Sequence, residues 1–372
     1  MKQATTTLTR AGMPRTVRNR SFDESVSYFF KRISGKNFSE KSQAYANSYI
    51  KFFAELEFLV RKVESGDFDQ IELMAKGLNA KIRAQSLPAF FREAAGSRLA
   101  YVFSTIGDFE SAAELREEHF KNAITSRGRA NQETMKIADG LVHSLFRSDR
   151  PAKGFELAKS NLQIAQENYS KSHPVVLMAL NTIGALMLEQ EEYTQAVEIL
   201  EPSFAAIKRS TLEQNSDPVL SLTMNYGYAL IRSGAEQKGF EVLSKLRQIY
   251  ANDFGPKHLN TAQTEKKLAE AALRLDQPAI ANKFAMRAME KFELLAVHHP
   301  IRVFGSITAL QCAHANGDEQ AKNAIFENHI NPLFAVGGAL ADQVDGFLDA
   351  NKELRPFDID DFMDMIKGKK GL

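Results

Sequence analysis

The chain has 372 residues, 44% hydrophobic and 25% charged, so it holds enough apolar material for a large core, and wholesale disorder is excluded. Basic residues number 47 and acidic ones 46, a net charge of +1 that argues against a nucleic-acid-coating protein. A single cysteine, Cys312, excludes a disulfide within the chain and a zinc site built mainly from thiolates, and it fits a reducing compartment.

Up to Phe22 the chain carries five bases (Lys2, Arg10, Arg15, Arg18, Arg20) and no acid. Residues 1–20 are expected to form a flexible basic arm, although in a eukaryote they would also resemble a mitochondrial presequence. This segment lacks the apolar core of a secretory signal, and no apolar run in the chain approaches the ~18 residues that span a bilayer. Residues 21–37, with Val26, Phe29, Phe30 and Ile33, predict a short leading helix.

From there the chain repeats. Gly66-Asp67-Phe68 returns as Gly107-Asp108-Phe109, and Ser172-His173-Pro174-Val175 is echoed by Ser216-Asp217-Pro218-Val219 and His298-His299-Pro300-Ile301. Small residues come in pairs twelve apart: Ala100 with Ala112, Val142 with Gly154, Gly184 with Ala196, Gly227 with Gly239, and Ala269 with Ala281. Successive pairs step by 42, 42, 43 and 42 residues, and only Val142 is not Gly or Ala. Two antiparallel helices cross closely only where neither carries a bulky side chain, so each pair marks a crossing. Apolar residues around these points fall at helical spacing, and no stretch alternates long enough to predict a strand.

The spacing predicts helix pairs at about 42–83, 88–125, 130–168, 174–210, 217–252, 258–295 and 300–329, with a capping helix from Pro332 to about Ala350. Eight of the eleven prolines fall at turns or helix starts in this frame, where a missing N–H is tolerated. Pro202 falls inside a helix, which is expected to kink or end there. Residues 351–372 read as an acidic and apolar tail that ends basic.

These strings resemble the tetratricopeptide repeat (TPR) family. The matching segments are Leu180-Asn181-Thr182-Ile183-Gly184 with Tyr193-Thr194-Gln195-Ala196, Tyr226-Gly227, and Leu99-Ala100-Tyr101 with Phe109-Glu110-Ser111-Ala112. A period of 42 rather than 34, with His-Pro or Asp-Pro opening the unit, is similar to the longer repeats of kinesin light chains. The resemblance implies an all-α, TPR-like helical-repeat solenoid with a right-handed superhelix, spanning residues 21–350 as one array. It further implies that first helices line a concave groove for a partner. Carried onto this sequence, that face comprises Tyr101, Lys136, Asp139, His143, Arg147, Asn181, Met224, Tyr228, Arg232, Lys266, Glu270 and Arg274. Asn181 resembles the family's peptide-backbone ligand, since an amide both donates and accepts. The Lys/Asn set of chaperone-tail binders is absent, because Glu270 stands where an Asn would be wanted.

Other chemistry is sparse. There is no Gly-rich phosphate loop, no G-x-G-x-x-G after a strand and no H-E-x-x-H. His298 and His299, beside Pro300, read as a turn, and Cys312 as a buried structural thiol without a base partner. Asp358, Asp360, Asp361 and Asp364 lack the central Gly and distal Glu of a calcium loop. The expectation is a non-enzymatic, cytoplasmic scaffold or adaptor without a cofactor, binding an acidic or amphipathic protein or peptide; the tail segment Phe357 to Met365 has that same character and could compete for the groove. A peptide-responsive receptor and an RNA-binding repeat protein are the alternatives, the latter disfavoured by the near-zero charge.

Overall fold

Apolar positions at helical spacing, punctuated every 42 residues by Gly, His or Pro, give helices joined by tight turns. The computed structural model describes residues 40–65, 70–84, 89–207, 216–256, 258–297 and 299–355, and among them there is no strand. The basic arm, the leading helix expected at 21–37, the Gly66-Asp67-Phe68 string, Pro88, His298 and the tail from Pro356 lie outside the described residues. Two compact units divide the chain, Met1–Leu186 and Met187–Leu372.

The first unit contains α1 (Glu40–Ser65), α2 (Ile71–Ala84), α3 (Ala89–Thr105), α4 (Phe109–Arg127), α5 (Gln132–Arg147), α6 (Pro151–Asn168) and most of α7 (Pro174–Glu189). Leu56, Leu59, Leu99 and Phe103 fill its beginning, and Ala113, Leu141 and Leu145 form the core where α4 meets α5. The second unit contains α8 (Tyr193–Ile207), α9 (Asp217–Arg232), α10 (Glu236–Asp253), α11 (Leu259–Arg274), α12 (Pro278–Phe292), α13 (Pro300–Ala315) and α14 (Glu319–Ile325). After a π-helical turn, Phe326–Ile330, come α15 (Asn331–Val336), α16 (Ala339–Ala350) and a 3-10 turn, Lys352–Leu354. Its core holds Leu243, Leu246 and Leu268, then Met289, Phe292, Leu310, Cys312, Ile330 and Leu333.

Repeated strings translate into repeated turns. His173, His258 and His299 each use Nδ1 to accept the backbone N–H two residues on, at 3.2, 3.3 and 3.2 Å, capping α7, α11 and α13. An aromatic four residues upstream backs two of these caps: Tyr169 stacks on His173 and Phe254 packs on His258. Within the helix pairs, Gly107, Glu191, Gly234, Asp276 and Gly317 occupy the same connecting turn with positive φ. Asp108 and Asp318 then cap the helices that follow by accepting from Ser111 N and Ala321 N.

The small-residue crossings are real where both partners lie in one unit. A Cβ on Gly239 would stand 2.7 Å from the Gly227 carbonyl oxygen and 3.0 Å from Ile231 N, so α10 and α9 touch backbone to backbone. A Cβ on Gly154 would stand 2.7 Å from Phe146 N and 3.0 Å from the Val142 carbonyl oxygen. Ala100, Ala112, Ala269 and Ala281 are fully buried. Gly184 and Ala196 are each buried in their own unit.

One sequence expectation narrows and one needs correction. Of the kink or end expected at Pro202, the end is excluded, because α8 runs to Ile207. Pro202 and Glu198, whose carbonyl loses its donor, both sit on the exposed side. The single capping helix from Pro332 is also broken: Gly337 (φ 73°) and Gly338 (φ 93°) turn the chain between α15 and α16. Pro332 instead lies inside a helical run from Glu319 to Val336. It cannot donate to the Asn328 carbonyl, which accepts from Arg302 Nη2 at 3.3 Å, while Asn331 N bonds five residues back to Phe326, the π pattern.

Candidate functional site

Two polar clusters form around first helices, one in each unit, and each also takes a side chain from a second helix. In the first, Arg116 on α4 donates to Ser104 Oγ at 2.8 Å and to Ser144 Oγ, joining α3, α4 and α5. Asp139 on α5 meets the Thr182 hydroxyl of α7. Burial raises the Asp139 carboxyl above the ordinary range against the opposing pull of His143, Thr182 and Arg116. Burial lowers the Arg116 guanidinium to about 10, with Asp139 acting the other way. The cluster is filled by its own side chains.

The remaining first-unit candidates spread out. Lys136 is exposed and bound to Glu133 Oε1 at 3.0 Å, one turn back. Arg147 lies over the Phe109 ring, 5.6 Å from its centre. Tyr101 is 43% exposed, and Asn181 is part-buried; neither is free of partners.

The second unit brings its candidates together. Arg232 Nη1, at the end of α9, donates to Tyr228 OH at 2.9 Å. Its guanidinium lies 4.5 Å from the ring centre of Tyr193, at the start of α8. Lys267 of α11 places its Nζ 3.5 Å from the centre of the Tyr228 ring, a close cation–π contact. One turn along α11, Lys266 binds Glu270 Oε1 at 2.5 Å, and the buried Thr308 hydroxyl of α13 lies 3.5 Å from the same oxygen. Met224 receives the Thr264 hydroxyl at its sulfur, 3.9 Å away. Phe304, one turn before Thr308 and 51% exposed, extends this face as an apolar surface.

The electrostatics are unbalanced. Arg232, Lys266 and Lys267 surround a single carboxylate, Glu270, and Arg274 acts on Tyr193. Burial alone would raise Glu270, but Lys266, Lys267 and Arg232 hold it below its ordinary value. Burial lowers the Lys267 amine to about 8; Glu270 pulls it up, and Lys266 and Arg232 push it further down. Lys267 makes no hydrogen bond among the described residues, and the Arg232 Nε is buried without an acceptor. Burial raises Tyr193, opposed by Arg232. The cluster carries more positive than negative charge, and its field is correspondingly positive.

Sequence reasoning placed Met224, Tyr228, Arg232, Lys266, Glu270 and Arg274 on this face and missed Lys267, Tyr193 and Thr308. Tyr193 belongs to a second helix, which the frame turned away from the partner. Lys267 sits between two frame positions, and its apposition to Tyr228 depends on how α11 packs on α9. Cys312 is buried as expected, its thiol pushed up to about 12 by burial. Among the described residues, no group of His, Cys, Asp and Glu could hold a metal ion, and no helix is long and apolar enough to cross a membrane.

No family model matches the chain, and no curated protein matches it. Solved structures do. BtubC (BKLC) from P. vanneervenii is 16% identical with a TM-score of 0.51, over 62% of this chain and 91% of that one. A Podosopora anserina putative kinesin light chain with nearly identical TPR-like repeats is 19% identical with a TM-score of 0.43, over 56% and 97%. A Rap protein complexed with competence and sporulation factor is 8% identical with a TM-score of 0.49, over 89% and 92%. The chain has the TPR-like, all-α helical-repeat fold.

Proposed function

We propose that the chain is a non-enzymatic interaction module, a scaffold or adaptor, that holds an acidic or amphipathic segment of a partner protein against α9, α11 and α13. One observation carries the reading: Arg232, Lys266 and Lys267 converge around a lone carboxylate, Glu270, while the Arg232 Nε is buried without an acceptor and Lys267 makes no hydrogen bond among the described residues. Leaving such groups unpaired costs stability, and function is the usual reason to retain them. Acidic groups on a partner would gain orientation and on-rate from this field, and Met224, Tyr228 and Phe304 supply apolar area. The aromatic walls suit a peptide better than a small anion, because they extend beyond the charges. A buried thiol raised to about 12 is a poor nucleophile, which favours a binding role for α13 over a catalytic one. The single cysteine also favours the cytoplasm as the site of action.

The test is capture of native partners by the full chain and by the Arg232→Glu, Arg274→Glu double variant. The folded double variant should lose the acidic partners. Equal capture by both proteins would move the functional surface elsewhere.

A further inference from the structure

Lys267 is the cation of this cluster that has a π partner and no hydrogen bond among the described residues. Its ammonium faces the Tyr228 ring and Arg232 from α9, and Lys266, Glu270 and Arg274 share its own helix. From α8 comes Tyr193, stacked on Arg232; from α13 come the Thr308 hydroxyl and the Cys312 thiol near Glu270. On the opposite side of α11, Glu265 is buried and already held by Arg247 at 2.8 Å and Lys291 at 3.5 Å, so it offers nothing to Lys267. Glu270 is engaged by Lys266. The ammonium of Lys267 therefore has a π face beneath it and an open acceptor position.

Resting on the proposed binding face, we infer that a carboxylate of the bound segment completes the Lys267 site, and that docking in alkaline solution is coupled to uptake of one proton by the Lys267 amine. The proton comes from solvent and adds to the nitrogen lone pair; no bond to the partner forms. The partner's carboxylate replaces the counter-charge the fold withholds, so the ammonium form is favoured in the complex more than in the free chain. Below pH about 8 the amine of the free chain is already protonated and binding takes up nothing. Above it, the neutral fraction must be protonated as the carboxylate arrives. Neither Cys312, raised to about 12, nor Tyr193, raised above the ordinary tyrosine value, changes charge in that interval.

The probe is an N-acetylated, C-amidated peptide with the acidic and apolar sequence of residues 357–365, Phe-Asp-Ile-Asp-Asp-Phe-Met-Asp-Met, titrated calorimetrically into the full chain from pH 6.5 to 9.5. A second probe replaces every Asp with Asn and keeps a free C-terminal carboxylate, which separates side-chain from terminal carboxylates as the source. The expected Kd is level to pH 7.5 and then rises toward about tenfold per pH unit above pH 8. Lys267→Arg should bind with a level Kd throughout, because its charge is permanent. Lys267→Met should bind more weakly at pH 7 and show no pH dependence. A wild-type Kd unchanged between pH 7 and 9.5, or a slope that survives in Lys267→Arg, would overturn the coupling while leaving the binding face intact. Failure of both probes to bind wild type at pH 7, or binding unaffected by Arg232→Glu with Arg274→Glu, would overturn the face itself.

Discussion

The Asp139–Arg116 cluster of the first unit and the Arg232–Lys267 cluster of the second are both built around first helices and solve opposite problems. Arg116 spends its donors on Ser104 and Ser144, and Asp139 has the Thr182 hydroxyl: buried polar groups answered by side chains of the same unit. The second cluster leaves Arg232 Nε and the Lys267 ammonium without acceptors among the described residues and gathers three cations around Glu270. A satisfied network fixes the stacking of successive helix pairs, whereas an unsatisfied one costs the fold stability. Charge on a first helix is thus no guide to function until its partners are counted.

The sharpest way to break the comparison is Arg116→Ala. It strips two serines of their donor and removes one of the two charges that oppose the burial of Asp139, His143 being the other, so the first unit should lose about 1–3 kcal/mol. Denaturant unfolding, with hydrogen exchange localised to α4 and α5, reads this directly; a loss below about 1 kcal/mol would make the network ornamental. A paired substitution sharpens the contrast. Thr182→Val removes the hydroxyl against Asp139 and should cost about 1–3 kcal/mol. Thr308→Val removes only a 3.5 Å approach to Glu270 together with a bond to the Phe304 carbonyl, and should cost less than Thr182→Val in the same assay.

The smallest effect has the opposite sign. Lys267→Met removes an amine whose charged form is penalised by burial and by Lys266 and Arg232, so it should raise Tm slightly, about 2–4 °C for each kcal/mol regained in a unit of this size. The wild-type amine is lowered to about 8 in the folded chain and regains its ordinary value of 10.5 on unfolding. Between those values the unfolded chain binds more protons, so wild-type stability should rise as pH increases from about 8 to about 10.5. Melting curves across that interval should show the rise in wild type and its absence in Lys267→Met.

Much of the fold was written in the sequence at the level of contacts. Gly227 with Gly239 and Val142 with Gly154 announced backbone crossings because only the smallest side chains permit them. The His-Pro strings announced helix starts, although the mechanism, an imidazole Nδ1 accepting a backbone N–H, needed coordinates. The cap misled because the Gly337-Gly338 turn depends on the helix that follows, which a repeat frame does not show. The site was half legible. Periodicity gave the face of α9 and α11 but not the side-chain directions that set Lys267 on Tyr228 or bring Tyr193 across from α8.

The backbone contact at Gly239 has a reach beyond packing. The atoms an added methyl would strike are the carbonyl of Gly227 and the nitrogen of Ile231, and Ile231 is the residue before Arg232. Gly239 sits on α10, which contributes no side chain to the cluster. A methyl group there would act as a wedge, tilting the final turn of α9 and carrying the Arg232 guanidinium away from Tyr193 and Lys267. The geometry of the cluster is therefore held at a distance by a hydrogen atom on a neighbouring helix, and under the proposed function a change at that one position would retune recognition while every residue of the face stays the same.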